Sequence, residues 1–489
     1  MFFSIEFGII FFVFFLVYWT LRNHHSLQNH TLLLFNYIIL CSFGGVYVAL
    51  VLACYTLFIY AASHLIAKTE SKSVFLTMVA FAILNLSFFK YYPSFKDDFE
   101  ALLRFFGLDV ASVDILLPLG ISFYTFASIT YLRAVYEARQ SPQDSTTTPS
   151  ALTSTTLTSS TLTSSTSNPK LQGFLPLATY LSFFPTIIAG PIMRSDFFFS
   201  QFNATRLWRR KNANLIIMLL LFGIVKKVLI ANYVQIYASP ILANPSNFNT
   251  IELLLGIGGY SIQIYCDFSG YVNLVCAFAL MLGFTLPPNF DMPYVAKNLK
   301  EFWARWHISL STFIRDYIYI PLGGSKKGFF LTQVFVLISF GLSGIWHGNT
   351  INFMIWGLLH GFGLVIVNIA KKCNFSLAQI PLLSSFITFS FVSFAWVFFC
   401  YSDFSDSLLF FTALYQNLSQ PIGLKEILLL CGGLLVFFAY PLSKNWQRSC
   451  VFYLYDVPTF IKPIVLAIVF IIIFCLMPDG IPNFIYATF

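Results

Sequence analysis

Two histidines occupy settings in which an imidazole could move a proton. His347 stands in Trp346-His347-Gly348 at the end of an apolar run, and His307 stands in a segment rich in charged and aromatic residues. An unperturbed histidine pKa near 6.5 lets the ring take up a proton at neutral pH and return it. The setting of His347 at the end of a span predicts a general base, and a core histidine bonded to a carbonyl on a neighbouring helix is the alternative.

A third histidine, His360, follows a run that contains Asn352 and Trp356. If 348–360 is one continuous helix, His347 and His360 are about 20 Å apart along its axis and cannot touch one reacting atom. We therefore predict that His307, on a separate element, pairs with His347 and that His360 is structural.

Charged residues crowd the segment 291–327 around His307. Arg305 and Asp316 are among them, and each would cost roughly 2.5–3.5 kcal/mol at the bilayer centre, so they should pair or line a cavity. The alternative is an amphipathic helix at the membrane surface, because lysines and arginines alternate there with aromatic residues.

Other polar residues are candidates to line the same site. Asp267 lies inside a long apolar run and is expected to pair with Arg305 or Arg315 or else to be protonated. Asn352, Trp346 and His360 are predicted to support or line the site.

Several familiar sites are not indicated by the sequence. It contains neither a Gly-x-Ser-x-Gly elbow nor an HExxH motif, and its nine cysteines form no CxxC pair. Serine hydrolase and zinc protease mechanisms therefore have no support. We predict no metal site, no disulfide framework and no bound cofactor.

The elements that position these residues must be membrane helices. Hydrophobic residues make up 57% of the 489 and charged residues 10%, against roughly 25% charged in average soluble domains. Long uncharged runs without period-2 alternation predict an all-α, multi-pass membrane protein with about 11–13 spans plus re-entrant or interfacial helices. The net charge of +8 lies in short loop clusters, which argues against nucleic acid as a partner. We place spans near 4–21, 31–46, 47–66, 73–89, 113–131, 213–231, 254–283, 329–346, 350–370, 383–401, 425–441 and 460–478.

Two segments depart from this pattern within what we treat as a single domain over 1–489. The apolar run 171–192 is interrupted by prolines and Gly190, and it lies between two basic loops, which predicts a broken or re-entrant helix. Residues 141–168 are nearly all Ser and Thr and are predicted to be a disordered loop.

Motifs along most of the chain resemble those of the membrane-bound O-acyltransferases, in the bacterial branch with the alginate O-acetyltransferase and the teichoic acid D-alanyl transferase. They occur in the family's order, and the longest is the most specific. The matching strings are LPLGISFYTFASITYL (117–132), FFPTIIAGPIMR (183–194), IQIYCDFSGY (262–271), NFDMPYVAKNLKEFWARWHISLSTFIRDYIYIPLGGSKKG (289–328), WHGNTINFMIWGLLHG (346–361) and FIY (484–486).

The resemblance implies a helical fold with a funnel, in which His347 matches the family's principal histidine and His307 its second catalytic position. Three departures bear on substrate assignment: Val272-Asn273 after DFSGY, Arg133-Ala134 in YLRAVY, and the 141–168 insert.

The leading functional hypothesis is transfer of a short acyl group, acetyl first, from a cytoplasmic thioester to a hydroxyl. The donor would be acetyl-CoA or an acyl carrier protein. The acceptor would be an alginate-like envelope polysaccharide or a periplasmic or extracellular relay protein, and membrane lipid would surround the enzyme. The alternatives are a transporter or flippase for a glycan or lipid precursor, and a fatty-acyl transferase.

Overall fold

The only regular secondary structure is helical in the part of the chain that the computed structural model describes, namely residues 5–106, 116–140, 171–208, 211–375, 379–458 and 460–478. Eight helices in those ranges are long and apolar enough to cross a membrane, and two shorter apolar helices cover 6–20 and 462–476. The predicted all-α, multi-pass membrane fold is confirmed. The Ser/Thr-rich insert 141–168 and the FIY motif at 484–486 lie outside the described residues.

Tertiary contacts divide the chain into two compact units, and the first comprises residues 1–187 and 193–206. Its helices are α1 (Ile5–Thr20), α2 (His25–Thr69), α3 (Lys72–Phe105), α4 (Ile121–Gln140), α5 (Phe174–Ser182), α6 (Phe184–Ile187) and α7 (Ser195–Phe202). Two predicted spans, 31–46 and 47–66, fall within α2, which leaves helical geometry at Gly45. The break fits the sequence, because glycine adopts the positive φ found there at little cost.

The predicted interruption of 171–192 is present in the first unit. Phe183 separates α5 from α6, and the Tyr180 hydroxyl donates to the Met193 carbonyl at 2.6 Å beyond the break. Side-chain donors of this kind satisfy carbonyls that a broken helix frees. Entry and exit on one side of the membrane stay a prediction.

The second unit comprises residues 188–192 and 207–489 and carries the candidate site. Its helices are α8 (Lys211–Ile224), α9 (Ala231–Ala243), α10 (Thr250–Met281), α11 (Leu299–Arg305), α12 (Ile308–Ile314), α13 (Ile320–Leu322), α14 (Phe329–His347), α15 (Ile351–Lys372), α16 (Pro381–Cys400), α17 (Phe404–Gln416), α18 (Leu424–Ala439), α19 (Trp446–Asp456) and α20 (Lys462–Leu476). Two π-helical turns, Val225–Ile230 and Arg315–Tyr319, join α8 to α9 and α12 to α13. The predicted single domain over 1–489 stays a prediction beside this division.

Helix α10 forms the core of the second unit. In the most apolar stretch of α10, 72% of the residues are buried, whereas the most apolar stretch of α18 has no buried residue. Asn249 and Glu252 form a reciprocal capping box that fixes where α10 begins, a pairing that satisfies two of the first free amides. Helices α8, α9 and α16 pack around α10, which places the DFSGY motif inside the unit.

Helices α14 and α15 form a tight hairpin because glycines face each other across it. A Cβ on Gly357 would overlap the Phe340 carbonyl oxygen and lie 3.0 Å from the Gly344 Cα. Small residues permit such close approach of helices in membranes. The hairpin sets the position of His347, the last residue of α14.

Replacing Gly357 by alanine is expected to destabilise the protein by about 1–3 kcal/mol, because the added methyl meets backbone that cannot rotate away. Gly341→Ala is the matched control on the same hairpin, since its Cβ would meet only Leu358 Cδ2 at an ordinary 3.5 Å. Thermal unfolding in detergent micelles measures both variants. Equal midpoints for the two would contradict the close-packing argument.

Candidate active site

His347 is enclosed by aromatic rings where the α14–α15 hairpin turns. Its side chain is 2% exposed, and its ring centroid lies 4.9 Å from that of Trp356 and 5.2 Å from that of Phe399. Trp346, a predicted site residue, packs edge-on against the imidazole at 4.7 Å. The enclosure holds the ring orientation and keeps bulk water away from a group that could act as a base.

The predicted separation of His347 and His360 is wrong. The chain leaves helical geometry between α14 and α15, at residues 348–350, so 348–360 is not one continuous helix. Both imidazoles pack on Trp356, with centroid distances of 4.9 and 5.0 Å. The two histidines are therefore no farther apart than the sum of these distances, about half the separation that a continuous helix would give. The turn residues Gly348 and Asn349 were the available signal.

His360 lies in an aromatic cluster and is fully buried. Its ring packs on Trp303 at 5.1 Å and is stacked with Phe302 at 6.2 Å. These contacts join α15 to α11. A structural role for His360 is compatible with this packing and stays a prediction.

His307 is held in an unusual backbone conformation between α11 and α12. It is 1% exposed and has φ +42°, the left-handed region that few residues other than glycine adopt. Its Nδ1 lies 3.2 Å from Asn289 Oδ1, and its ring packs edge-on against Phe268 at 4.9 Å. Burial lowers the pKa of His307 from 6.5 to about 3, so the ring is neutral at neutral pH.

One aromatic cluster borders both His307 and His347. Consecutive ring centroids between the two histidines are 4.9 to 5.7 Å apart, and the intervening rings are Phe268, Phe290, Trp306, Trp396 and Trp356. These rings come from α10, α15, α16 and the connections before and after α11. Direct pairing of the two imidazoles stays a prediction.

Asn352 ties the first turn of α15 to the connection between α16 and α17. Its Nδ2 donates to the carbonyls of Tyr401 and Asp403 at 2.8 and 3.0 Å and contacts Ser407 Oγ at 3.0 Å. The side chain is fully buried. Asn352 therefore helps to fix the end of the hairpin that carries His347.

Arg305 and Asp316 form ion pairs at a more exposed edge of the segment. Arg305 bonds Glu301 at 2.9 Å and Asp291 at 3.1 Å, and Asp316 accepts from Arg315 at 2.7 Å. The charged residues thus pair, as expected. Their support of the histidines stays a prediction.

The predicted partner of Asp267 is wrong. Lys227, in the π-helical turn after α8, forms the ion pair with Asp267 of α10, and both side chains are almost completely buried. Gly223 and Gly270 allow this approach, since a Cβ on Gly270 would lie 2.9 Å from the Gly223 carbonyl oxygen. Lys226-Lys227 inside the apolar run 213–231 was the signal that sequence reasoning overlooked.

Two residues that the sequence predictions did not single out organise the His307 backbone. Asn289 Oδ1 accepts from the Ser309 amide at 3.1 Å and from the Ser309 hydroxyl at 2.8 Å. The Ser309 hydroxyl in turn accepts from the Ile192 amide at 2.9 Å. A buried asparagine in a loop beside an αL histidine is thus part of the site. Among the described residues, no group of three or more His, Cys, Asp or Glu side chains is placed to hold a metal.

Comparison with known proteins returns a family model described as membrane-bound O-acyltransferase, which matches residues 102–409. That range contains Asn289, His307 and His347.

Curated relatives carry related names. The peptidoglycan O-acetyltransferase of Helicobacter pylori is 33% identical over 326 residues, 64% of this chain and 59% of that protein. The probable alginate O-acetylase of Pseudomonas aeruginosa is 35% identical over 317 residues, 64% of this chain and 55% of that protein. The teichoic acid D-alanyltransferase of Bacillus subtilis is 30% identical over 233 residues, 44% of this chain and 58% of that protein. Each comparison spans less than two thirds of the relative's own length.

Proposed function

Because this chain belongs to the membrane-bound O-acyltransferase family, we propose that it transfers a short acyl group, acetyl first, from a cytoplasmic thioester to a hydroxyl. The donor is acetyl-CoA or an acylated carrier protein, and the acceptor is an envelope polysaccharide or an extracytoplasmic relay protein. The relatives, two named for O-acetyl transfer and one for D-alanyl transfer, support ester formation on cell-envelope polymers. The site of action is the cell (inner) membrane.

The observation that carries the proposal is the placement of His347. A buried imidazole ends a membrane-length helix and is enclosed by Trp346, Trp356 and Phe399. Exclusion of water from such a site protects a thioester from hydrolysis and strengthens electrostatic interactions within it.

The proposed reaction uses His347 as the proton carrier. The acceptor hydroxyl oxygen attacks the thioester carbonyl carbon, a C–O bond forms, and the hydroxyl proton passes to the His347 imidazole. The tetrahedral intermediate then collapses, the C–S bond breaks, and the leaving thiolate takes the proton back from the imidazolium. His307 assists by orienting a reactant or by stabilising the developing negative charge.

Purified protein in liposomes with radiolabelled acetyl-CoA and crude envelope polysaccharide is expected to produce polymer carrying alkali-labile label, as an ester requires. A parallel reaction with an acetylated acyl carrier protein separates the two donors. His347→Ala protein is the low-activity control, because it should insert normally yet transfer label at least ~10²-fold more slowly.

Absence of ester label with both donors would contradict the proposal. Movement of a glycan or lipid precursor across the liposome membrane, without covalent transfer, would favour the transporter alternative. Mass spectrometry of envelope glycans from a deletion strain identifies the natural acceptor, since the lost ester marks the product.

A further inference from the structure

The carboxamide of Asn289 has a fixed orientation. The Ser309 backbone amide, which can only donate, lies 3.1 Å from the atom assigned as Oδ1. Rotating the side chain by half a turn would bring the NH₂ group against that N–H, two donors without an acceptor. The oxygen of Asn289 therefore faces Ser309 and His307.

This orientation fixes the tautomer of His307. Its Nδ1 lies 3.2 Å from Asn289 Oδ1, and two acceptors at that distance would repel, so Nδ1 carries the proton. Neutral imidazole has one N–H. The Nε2 atom of His307 therefore presents a lone pair, and the ring cannot also donate a hydrogen bond from Nε2.

The other end of the same carboxamide is a buried donor. Asn289 is 1% exposed, and its Nδ2 has no hydrogen-bond partner among the residues described. A buried donor without an acceptor is costly. The unpartnered NH₂ group of Asn289, beside a candidate catalytic histidine, therefore indicates that a bound substrate supplies the acceptor. Asparagine amides serve this purpose in oxyanion holes.

We propose that Asn289 is a catalytic residue that acts with both ends of its carboxamide. Its Oδ1 holds His307 with the proton on Nδ1, and its Nδ2 donates a hydrogen bond to the carbonyl oxygen of the acyl group. The inference rests on the proposed acyl transfer and names the hydrogen-bond donor that stabilises the carbonyl oxygen in this reaction. Negative charge reaches that oxygen when the acceptor hydroxyl attacks, and the charge returns to the carbon when the C–S bond breaks, so the hydrogen bond is strongest at the intermediate.

Asn289, His307 and His347 then have three different roles. The one N–H of His307 already donates to Asn289, so the ring acts through the Nε2 lone pair, which can accept a hydrogen bond from a hydroxyl and orient it. Stabilisation of the oxyanion then falls to Asn289, and uptake of the proton to His347.

Two substitutions separate the two ends of Asn289. Asn289→Asp keeps oxygen acceptors for His307 and Ser309 but removes the amide donor, whereas Asn289→Leu removes both functions at similar volume. Asn36→Asp is the matched control, because Asn36 is also fully buried and also accepts from a backbone amide, that of Phe184, while its Nδ2 already bonds Ser182.

Acetyl transfer from acetyl-CoA is expected to fall ~10²–10³-fold in kcat for Asn289→Asp, with little change in KM for the donor. Asn289→Leu should lose at least as much. Asn36→Asp should keep its rate per folded molecule. Wild-type kcat in Asn289→Asp would overturn the donor role of Nδ2.

Nitrogen-15 spectra of histidine-labelled protein test the tautomer directly, and the His307→Gln variant assigns the His307 signals. We expect Nδ1 to be protonated in the wild type and in Asn289→Asp, and a mixed or reversed tautomer in Asn289→Leu. An unchanged tautomer in Asn289→Leu would overturn the positioning role. If wild-type protein transfers no acyl group, the proposed function and the donor role fail together, while the spectra still decide the positioning role.

Discussion

Replacing His347 by alanine is expected to lower the rate of acyl transfer ~10²–10⁴-fold, because a positioned base contributes that much to proton transfer in the transition state. The measurement is release of the thiol and appearance of ester label in liposomes, normalised to folded protein. Since His347 lies among Trp356 and Phe399, His347→Gln serves as a second variant that retains more of its volume.

The control for this experiment is His30→Ala. His30 is exposed on α2 and bonds the Ser26 carbonyl of its own helix at 2.7 Å, so its loss should leave transfer intact. A wild-type rate in either His347 variant would end the assignment of His347 as the base. Loss of membrane-inserted protein in the alanine variant alone would shift the decision to the glutamine variant.

Removing one partner of the buried Lys227–Asp267 ion pair is expected to lower the free energy of unfolding by roughly 3–5 kcal/mol, because the remaining charge is left uncompensated in an apolar interior. Lys227→Met and Asp267→Asn should each show this loss, since the side chains are 5% and 2% exposed. The midpoint of thermal unfolding in detergent micelles measures it.

The double variant Lys227→Met/Asp267→Asn should recover much of the loss, because neither charge then remains buried alone. The surface pair Arg133–Glu137, 32% and 58% exposed, is the matched control, and Arg133→Met should cost about 1 kcal/mol or less. Additive losses in the double variant would show that the two charges do not stabilise each other.

The helical membrane fold was predictable because apolar length alone decides whether a segment can span a bilayer. The interruption near Phe183 was predictable for a similar local reason, since prolines and glycine remove or weaken backbone hydrogen bonds. The two motifs that contain His307 and His347 resemble the family's motifs, and both lie within the range that the family model matches.

Contacts between segments distant in the sequence were harder to predict from the sequence. Asp267 pairs with Lys227 because the Gly223–Gly270 approach brings α8 against α10, and helix register of this kind is not encoded locally. His360 was placed too far from His347 because a continuous helix was assumed through a Gly-Asn turn. Asn289 was overlooked because its role depends on a tertiary hydrogen bond to His307.

The backbone around His307 also has a consequence for how the site is assembled. The Asp291 amide donates to the Arg305 carbonyl at 2.9 Å, and the Ile308 amide donates to the Asn289 carbonyl at 3.0 Å. These two hydrogen bonds close a short loop between residues 289 and 308, and the entropic cost of closing a short loop is small. They can form once residue 308 has left the ribosome. The surroundings of His347 need Phe399 of α16 and must wait for it. The contacts around His307 can thus form earlier during synthesis than those around His347, which are complete only once α16 is present.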